Sequence, residues 1–330
     1  MGRVTTHLHV DHESAVHVAA RTARTVAQEV GLPSPLPDRA AVIASELTSN
    51  LHKHAGGGNV FIQPLLTGTG VEVVATDSGP GMADPDRCLT DGHTTTGTLG
   101  VGLGAVRRMA SDFSVHSTVH HGTLLAARLL APGSAAEAHR RIGYLCVPAD
   151  GQQVSGDNAA VHTDTSSAAA ATTVLVADGL GHGPEAAEAS QAAVRIFQRD
   201  PTLPLPELLT AMHHGLRLTR GAAIAVTRIV DRNAQFCGVG NVRCSVLSPD
   251  GHQALLSKPG VVGARSITPQ VRSVPLAEHS TVVVHTDGLQ PHWPVHTAPI
   301  RLGLASALLA AGLVHDHRLA HDDATVVVIR

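Results

Sequence analysis

Residues 131–138 read APGSAAEA, and the chain has one periodicity before this seam and another after it. Small, polar and helix-breaking residues in that run suit a linker rather than a core. With 330 residues and roughly 150 residues per domain, the reading is two domains, 1–133 and 134–330. Before the seam the pattern is helix–helix–hairpin–helix–hairpin. Asp11 is placed to cap a helix with an apolar stripe of Val16, Ala19, Ala23, Val26 and Val30. A second helix is predicted from Asp38 to Ala55, with Ile43, Leu47 and Leu51 inward and Gly56-Gly57-Gly58 ending it. Strands are predicted at 59–66, 71–76, 113–118 and 123–130, with a third helix from about Val101. After the seam, strands dominate: 142–147, 172–177, 222–230, 234–239, 242–247, 281–285 and 324–329. Helices are predicted at 184–198, 206–217 and 301–312. No internal repeat joins the halves. The fold class is α+β in two domains, the second a β-sandwich flanked by helices.

Composition removes several function classes. Lys+Arg is 24 against Asp+Glu 27, a net charge of -3, so no basic field favours nucleic acid or an anionic membrane. Aromatic residues are 2%, too few for base-stacking platforms. Cys88, Cys146, Cys237 and Cys244 form no CxxC pair, which argues against a zinc knuckle or a disulfide framework. The N-terminus lacks the apolar stretch of a signal peptide, and the longest apolar runs, such as Leu304–Val314, are short of the ~20 residues of a membrane span. The expected location is cytoplasmic.

Glu46, Asn50 and His54 are four residues apart on the second helix, so an α-helical period puts them in one row, with Lys53 adjacent. A carboxylate, an amide oxygen and basic groups in one row can hold magnesium and meet phosphates, although a solvated helix face has the same appearance. Asp77-Ser78-Gly79-Pro80-Gly81 follows at a strand end. An aspartate there can accept a hydrogen bond from an exocyclic amine such as adenine N6, and glycines allow close backbone approach. Gly100-Val101-Gly102-Leu103-Gly104 then runs into a helix, where backbone amides form an anion site. Its GxGxG spacing differs from a dinucleotide-binding GxGxxG loop. His7-Leu8-His9-Val10-Asp11-His12 matches an HxHxDH metal pattern, but only six residues precede it, too few for the sheet that such a motif needs.

In this order, the motifs of residues 10–130 resemble those of the GHKL ATPase family, specifically the small bacterial anti-sigma and switch-kinase proteins. Glu46–Ala55 resembles the N box, Asp77–Gly81 the G1 box and Gly100–Gly104 the G2 box. The resemblance implies a Bergerat-type α/β sandwich that binds ATP with magnesium. Asn50 would ligate the ion, Asp77 would bind adenine and Glu46 would be the candidate general base. Lys53, His54, Gly79, Gly81, Gly100, Gly102 and Gly104 would complete the nucleotide site. Asp91–Gly97 would be a short lid.

The second half carries aspartates at predicted strand ends: Asp157, Asp178 followed by Gly179, Asp287 followed by Gly288, and the pair Asp322-Asp323. An apolar strand running into Asp-Gly puts a carboxylate on a sheet rim. Hard oxygen ligands without cysteine favour Mg²⁺ or Mn²⁺. Together with Gly221-Ala222-Ala223 and Val239-Gly240-Asn241, this half resembles the protein phosphatase 2C superfamily and its SpoIIE-like bacterial regulators, an αββα sandwich. The resemblance implies two metal ions. Asp178 would bridge them, the Gly179 carbonyl would bind one, Asp287 and Asp322 would complete the second site, and Asp157 would contact the first. At the position of Asp323 this superfamily has Asn or Asp.

The expected function is metal-dependent removal of phosphate from phosphoserine or phosphothreonine on a partner regulator, by activated water. The resemblance implies a STAS-domain or anti-sigma-antagonist partner, with a sigma factor and a homodimer as further associations. The N-terminal domain is a candidate serine kinase. The alternatives are an ATP-binding module that only gates the phosphatase, and a non-catalytic scaffold.

Overall fold

The computed structural model describes residues 5–89, 102–134, 139–164, 170–249, 251–264, 266–293 and 303–330. The chain forms two compact units, Arg3–Arg140 with Ala307–His315, and Arg141–Ser306 with Asp316–Arg330.

The first unit is one antiparallel sheet with helices on it. Its elements are β1 (Thr6–Val10), α1 (Ser14–Glu29), α2 (Leu36–Asn50), a π-helical turn at Leu51–Ala55, β2 (Gly58–Pro64), β3 (Gly70–Asp77), α3 (Pro85–Cys88), α4 (Gly102–Met109), β4 (Asp112–Ser117) and β5 (Thr123–Leu130). The sheet order is β1-β2-β3-β5-β4. Alternate residues Val60, Ile62, Val71, Val73, Leu125 and Leu129 meet Ala19, Ala23, Ile43 and Leu47 of α1 and α2 in one core. The other sheet face is also buried at Gln63, Glu72 and Arg128. Glu72 and Arg128 are directly opposite on β3 and β5, and their side chains pair at 2.6 Å.

Three expectations change here. Asp11 caps nothing: α1 begins at Ser14 behind Glu13, and His12 Nδ1 accepts the Ser14 N–H. The second helix is α-helical only to Asn50, and from Leu51 its turn widens to π geometry, closed by Gly56 in the left-handed region. An α-helical row therefore does not extend from Asn50 to His54. The HxHxDH segment is itself an edge strand, β1, paired with β2, and His7 and His9 both contact Asn59 Oδ1.

The second unit contains two five-stranded sheets, β13-β10-β9-β8-β7 and β12-β11-β14-β15-β6. The strands are β6 (Ile142–Val147), β7 (Asp157–Asp164), β8 (Ala171–Gly179), β9 (Ala222–Val230), β10 (Asn233–Val239), β11 (Arg243–Ser248), β12 (Gly251–Leu256), β13 (Arg272–Pro275), β14 (Thr281–His285) and β15 (Ala324–Ile329). Helices α5 (Pro184–Arg199) and α6 (Leu205–Gly215) cover the first sheet. Phe197, Leu208, Leu209 and Met212 fill the space against Leu175, Ile224 and Val226. Strands β7, β12 and β13 are additional to those the sequence pattern predicts. The last helix, α7, is described over Ser306–His317, of which Ala307–His315 belongs to the first unit; residues 301–302 of the predicted 301–312 helix lie outside the described residues. Among the described residues no helix is long and apolar enough to cross a membrane.

Candidate active sites

Strand pairing brings the aspartates together. In the β7–β8 ladder Asp157 lies opposite Asp178. Gly179 follows Asp178, and an alanine there would overlap the backbone of Ala186 in α5. This glycine therefore lets a helix lie directly on the strand end. Gly288 has the same role after β14: a Cβ would overlap the Asp323 carbonyl, so the Asp287 strand end and the Asp322-Asp323 segment are in backbone contact. Asp178, Asp287 and Asp322 consequently share one electrostatic environment. Burial, then repulsion from Asp287 and Asp322, raises Asp178 to about 7. Burial and then Asp178 raise Asp157 well above the ordinary carboxylate range. Burial and Asp287 also raise Asp322.

Neighbouring side chains hold these carboxylates in place. Asn241 Nδ2 donates to Asp287 Oδ2 at 2.7 Å and also hydrogen-bonds Asp178. Thr286 Oγ1 donates to Asp157 Oδ2 at 2.7 Å. Asp323 accepts the Ala149 N–H on one oxygen and the Gly156 N–H on the other, at 2.8 and 2.7 Å. Both Asp323 oxygens thus serve to join three loops. In the sequence Asn241 stands out only within Val239-Gly240-Asn241, and Thr286 has no signal beyond adjacency to Asp287.

Among the described residues no three His, Cys, Asp or Glu side chains already converge as a closed cation cage. The donor set nevertheless fits hard divalent cations. Several carboxylates sit at one partly buried rim and raise one another's proton affinity, and a bound cation reverses that balance. Cys146, beside Asp157, is pushed up to about 12 by burial and stays a neutral thiol, so it offers no thiolate to a softer metal.

In the first unit, Glu46 on α2 accepts the Gly102 N–H at 3.3 Å, which joins the N-box helix to the start of α4. Asp77, at the end of β3, is buried, and burial raises its pKa. Its Oδ1 accepts the Gly79 N–H at 2.8 Å. A Cβ on Gly79 would crowd Ala55 of the π turn, and one on Gly81 would overlap the Thr118 carbonyl. These glycines are thus required by the chain's own packing. Gly102 has φ +70 and open space around it, so conformation selects glycine there. Gly104 is buried in α4, Asn50 is half-buried, and Lys53 and His54 are exposed. Gly100 and the lid Asp91–Gly97 lie outside the described residues.

Residues 10–129 match the histidine kinase-like ATPase domain, and residues 169–330 match the stage II sporulation protein E (SpoIIE) family. The serine/threonine-protein kinase RsbT of Bacillus subtilis (strain 168) is 37% identical over 109 residues, 32% of this chain and 82% of that protein. The chain belongs to the histidine kinase-like ATPase family, joined to a SpoIIE-type phosphatase domain. The phosphoserine phosphatase RsbX of the same organism is 27% identical over 143 residues, 42% of this chain and 70% of that one. The crystal structure of RsbX in complex with magnesium superposes with a TM-score of 0.50 at 23% identity, covering 56% of this chain and 92% of RsbX. A chain solved in work on the bacterial stressosome superposes with a TM-score of 0.51 at 27% identity, covering 58% and 98%. The second unit is thus a SpoIIE-type phosphatase domain, and the ATPase unit is of the RsbT kinase type.

Proposed function

We propose that this chain is a stress-signalling regulator in which the SpoIIE-type unit removes phosphate from phosphoserine or phosphothreonine on a STAS-type partner protein. The observation that carries this reading is the gathering of Asp178, Asp287 and Asp322 around one rim, from three separate strand ends. Asp157, Asp178, the Gly179 carbonyl, Asp287 and Asp322 would hold two Mn²⁺ or Mg²⁺ ions. Such a pair, when bound, acidifies water and neutralises charge on a phosphoryl group. Asn241 orients Asp287, Thr286 orients Asp157, and Asp323 fixes the loops that carry them. The phosphoserine phosphatase RsbX and the stressosome chain support the substrate class and the partner. Three buried free thiols suit a reducing cytoplasm.

With Mn²⁺, the purified chain releases inorganic phosphate from a phosphoserine STAS protein. Asp287→Asn lowers that rate by more than about 100-fold, since a ligand matters more than the outer-shell partners whose loss already costs about 10–100-fold. An Asp287→Asn enzyme with full activity would remove Asp287 from the site.

The ATPase unit binds ATP with magnesium and transfers the γ-phosphate to a serine of the same class of partner. Asn50 would hold the magnesium ion, and Asp77 would meet the adenine amine. The amides around Gly102 and Gly104, with Gly100, would meet the phosphates beside Lys53 and His54. Glu46 would act as the general base, and its hydrogen bond from the Gly102 N–H holds the carboxylate beside the start of α4. Glu46→Ala is expected to lower transfer of labelled phosphate about 10²- to 10⁴-fold, the usual contribution of a general base, while ATP binding stays within a few-fold. Transfer at the wild-type rate would exclude Glu46 as the base.

A further inference from the structure

Beside the aspartates of the SpoIIE-type unit, two segments are joined by hydrogen bonds. The Leu180 N–H donates to the Gly221 carbonyl at 3.0 Å. The turn before Gly221 is tightly held: Thr219 N–H and Oγ1 both donate to the Leu216 carbonyl, and the Gly221 N–H donates to Thr219 Oγ1. Arg220 projects from this turn. Its Nη1 lies 3.0 Å from the point where a Cβ on Gly181 would stand. The Gly181 carbonyl lies 3.6 Å from the corresponding point on Gly156, and Asp323 Oδ2 lies 3.0 Å from that same point. Guanidinium, Gly181, Gly156 and Asp323 are therefore successive neighbours, which puts the Arg220 cation at the margin of the acidic cluster.

The partner of Arg220 is Glu185, in the first turn of α5. Both side chains are more than half exposed, at 51% and 65%. An ion pair this exposed contributes little to stability, so the guanidinium can change partners at small cost. A phosphoryl dianion approaching several carboxylates is repelled, and a planar five-donor guanidinium matches its oxygens two at a time.

We propose that Arg220 is the phosphate-recognition residue of the phosphatase site, exchanging Glu185 for two phosphoryl oxygens of the phosphoserine or phosphothreonine. This rests on the phosphatase reading above. Gly181, at φ +88, keeps the approach to the guanidinium free of a side chain.

The test is steady-state kinetics on the full chain with Mn²⁺, a phosphoserine STAS protein as substrate and inorganic phosphate as product inhibitor. Arg220→Gln raises KM and the phosphate inhibition constant roughly 10- to 100-fold, the scale of a lost charge-assisted pair. The Mn²⁺ activation midpoint stays unchanged, a separation that a merely structural role would not produce. Arg220→Lys recovers part of the loss, and Glu185→Gln, which frees the guanidinium, lowers the phosphate inhibition constant. An active wild type with Arg220→Gln unchanged in KM and phosphate inhibition overturns the role of Arg220 alone. A wild type that releases no phosphate overturns the phosphatase reading, and the role of Arg220 falls with it.

Discussion

In chelator at pH 8, an Asp178→Asn variant melts above the wild type although it releases no phosphate from a phosphoprotein. The two opposite effects have one origin. Burial, Asp287 and Asp322 raise the Asp178 carboxyl to about 7, against 3.8 for the free group. A carboxyl raised in the folded state favours folding only while protonated. Its contribution is intact below the unfolded value and is lost as pH rises through the folded one. Calorimetry of the metal-free chain should therefore show stability falling from about pH 4 to about pH 7 and levelling above that. The difference between about 7 and 3.8 corresponds to about 4 kcal/mol at most. After relaxation around the site we expect Asn to recover about half, a rise of roughly 4–8 °C for a unit of this size. Mn²⁺ then separates the proteins. The wild type gains stability with metal concentration by mass action, and the variant gains much less. A variant that melts below the wild type in chelator, or that keeps its activity, would show that Asp178 is not the strained member of a cation site.

The sequence made the ends of the central strands legible because an apolar run into Asp-Gly is a local pattern. It did not make their pairing legible. Strand β7 reads DNAAVHTD, with alanines where β-branched residues would signal a strand, so the ladder that puts Asp157 opposite Asp178 left no periodic trace. Strands β12 and β13 are short and largely exposed, so burial imposes no alternation on them. Strand β1 did alternate, but its histidines suggested a metal motif where the period of two meant a strand. The π turn after Asn50 has no residue code: LHKHA is an ordinary helical sequence, and its closure by Gly56 looks the same for α and π geometry. In the sequence Gly179 is legible only for the carbonyl it carries, and Gly288 only as the residue after Asp287. The structure adds that Gly179 admits α5 and Gly288 admits the Asp322-Asp323 backbone. Asn241 and Thr286 escaped notice as site residues because their role depends on contacts 46 and 129 positions away in the chain.

Replacing Arg128 with methionine is expected to unfold much of the ATPase unit. Arg128 and Glu72 have side chains only 4% and 2% exposed. The Arg128 Nε donates to Glu72 Oε1, Nη1 donates to the His139 carbonyl, and Asp112 lies 4.0 Å from Nη1. Gln63 of β2 donates to the other Glu72 oxygen at 2.7 Å and its Oε1 accepts from Thr5, so the network spans β2, β3, β4, β5 and the chain leading into β1. Removing the guanidinium leaves a buried carboxylate whose remaining donor is a neutral amide, and breaking a buried pair in this way costs about 3–5 kcal/mol. Adding Glu72→Gln to Arg128→Met removes the stranded charge and should return more than half of the loss. That order, the double variant more stable than the single, distinguishes a stranded charge from simple loss of packing, which would make the double the worse of the two. The only tryptophan and the only tyrosine, Trp293 and Tyr144, both lie in the other unit, so fluorescence would not report this event. Amide hydrogen exchange of β3 and β5 reads it directly. Protection there should fall by about two to four orders of magnitude in Arg128→Met, the exchange equivalent of a loss of about 3–5 kcal/mol. Protection within tenfold of wild type would mean that the pair is held for register rather than for stability.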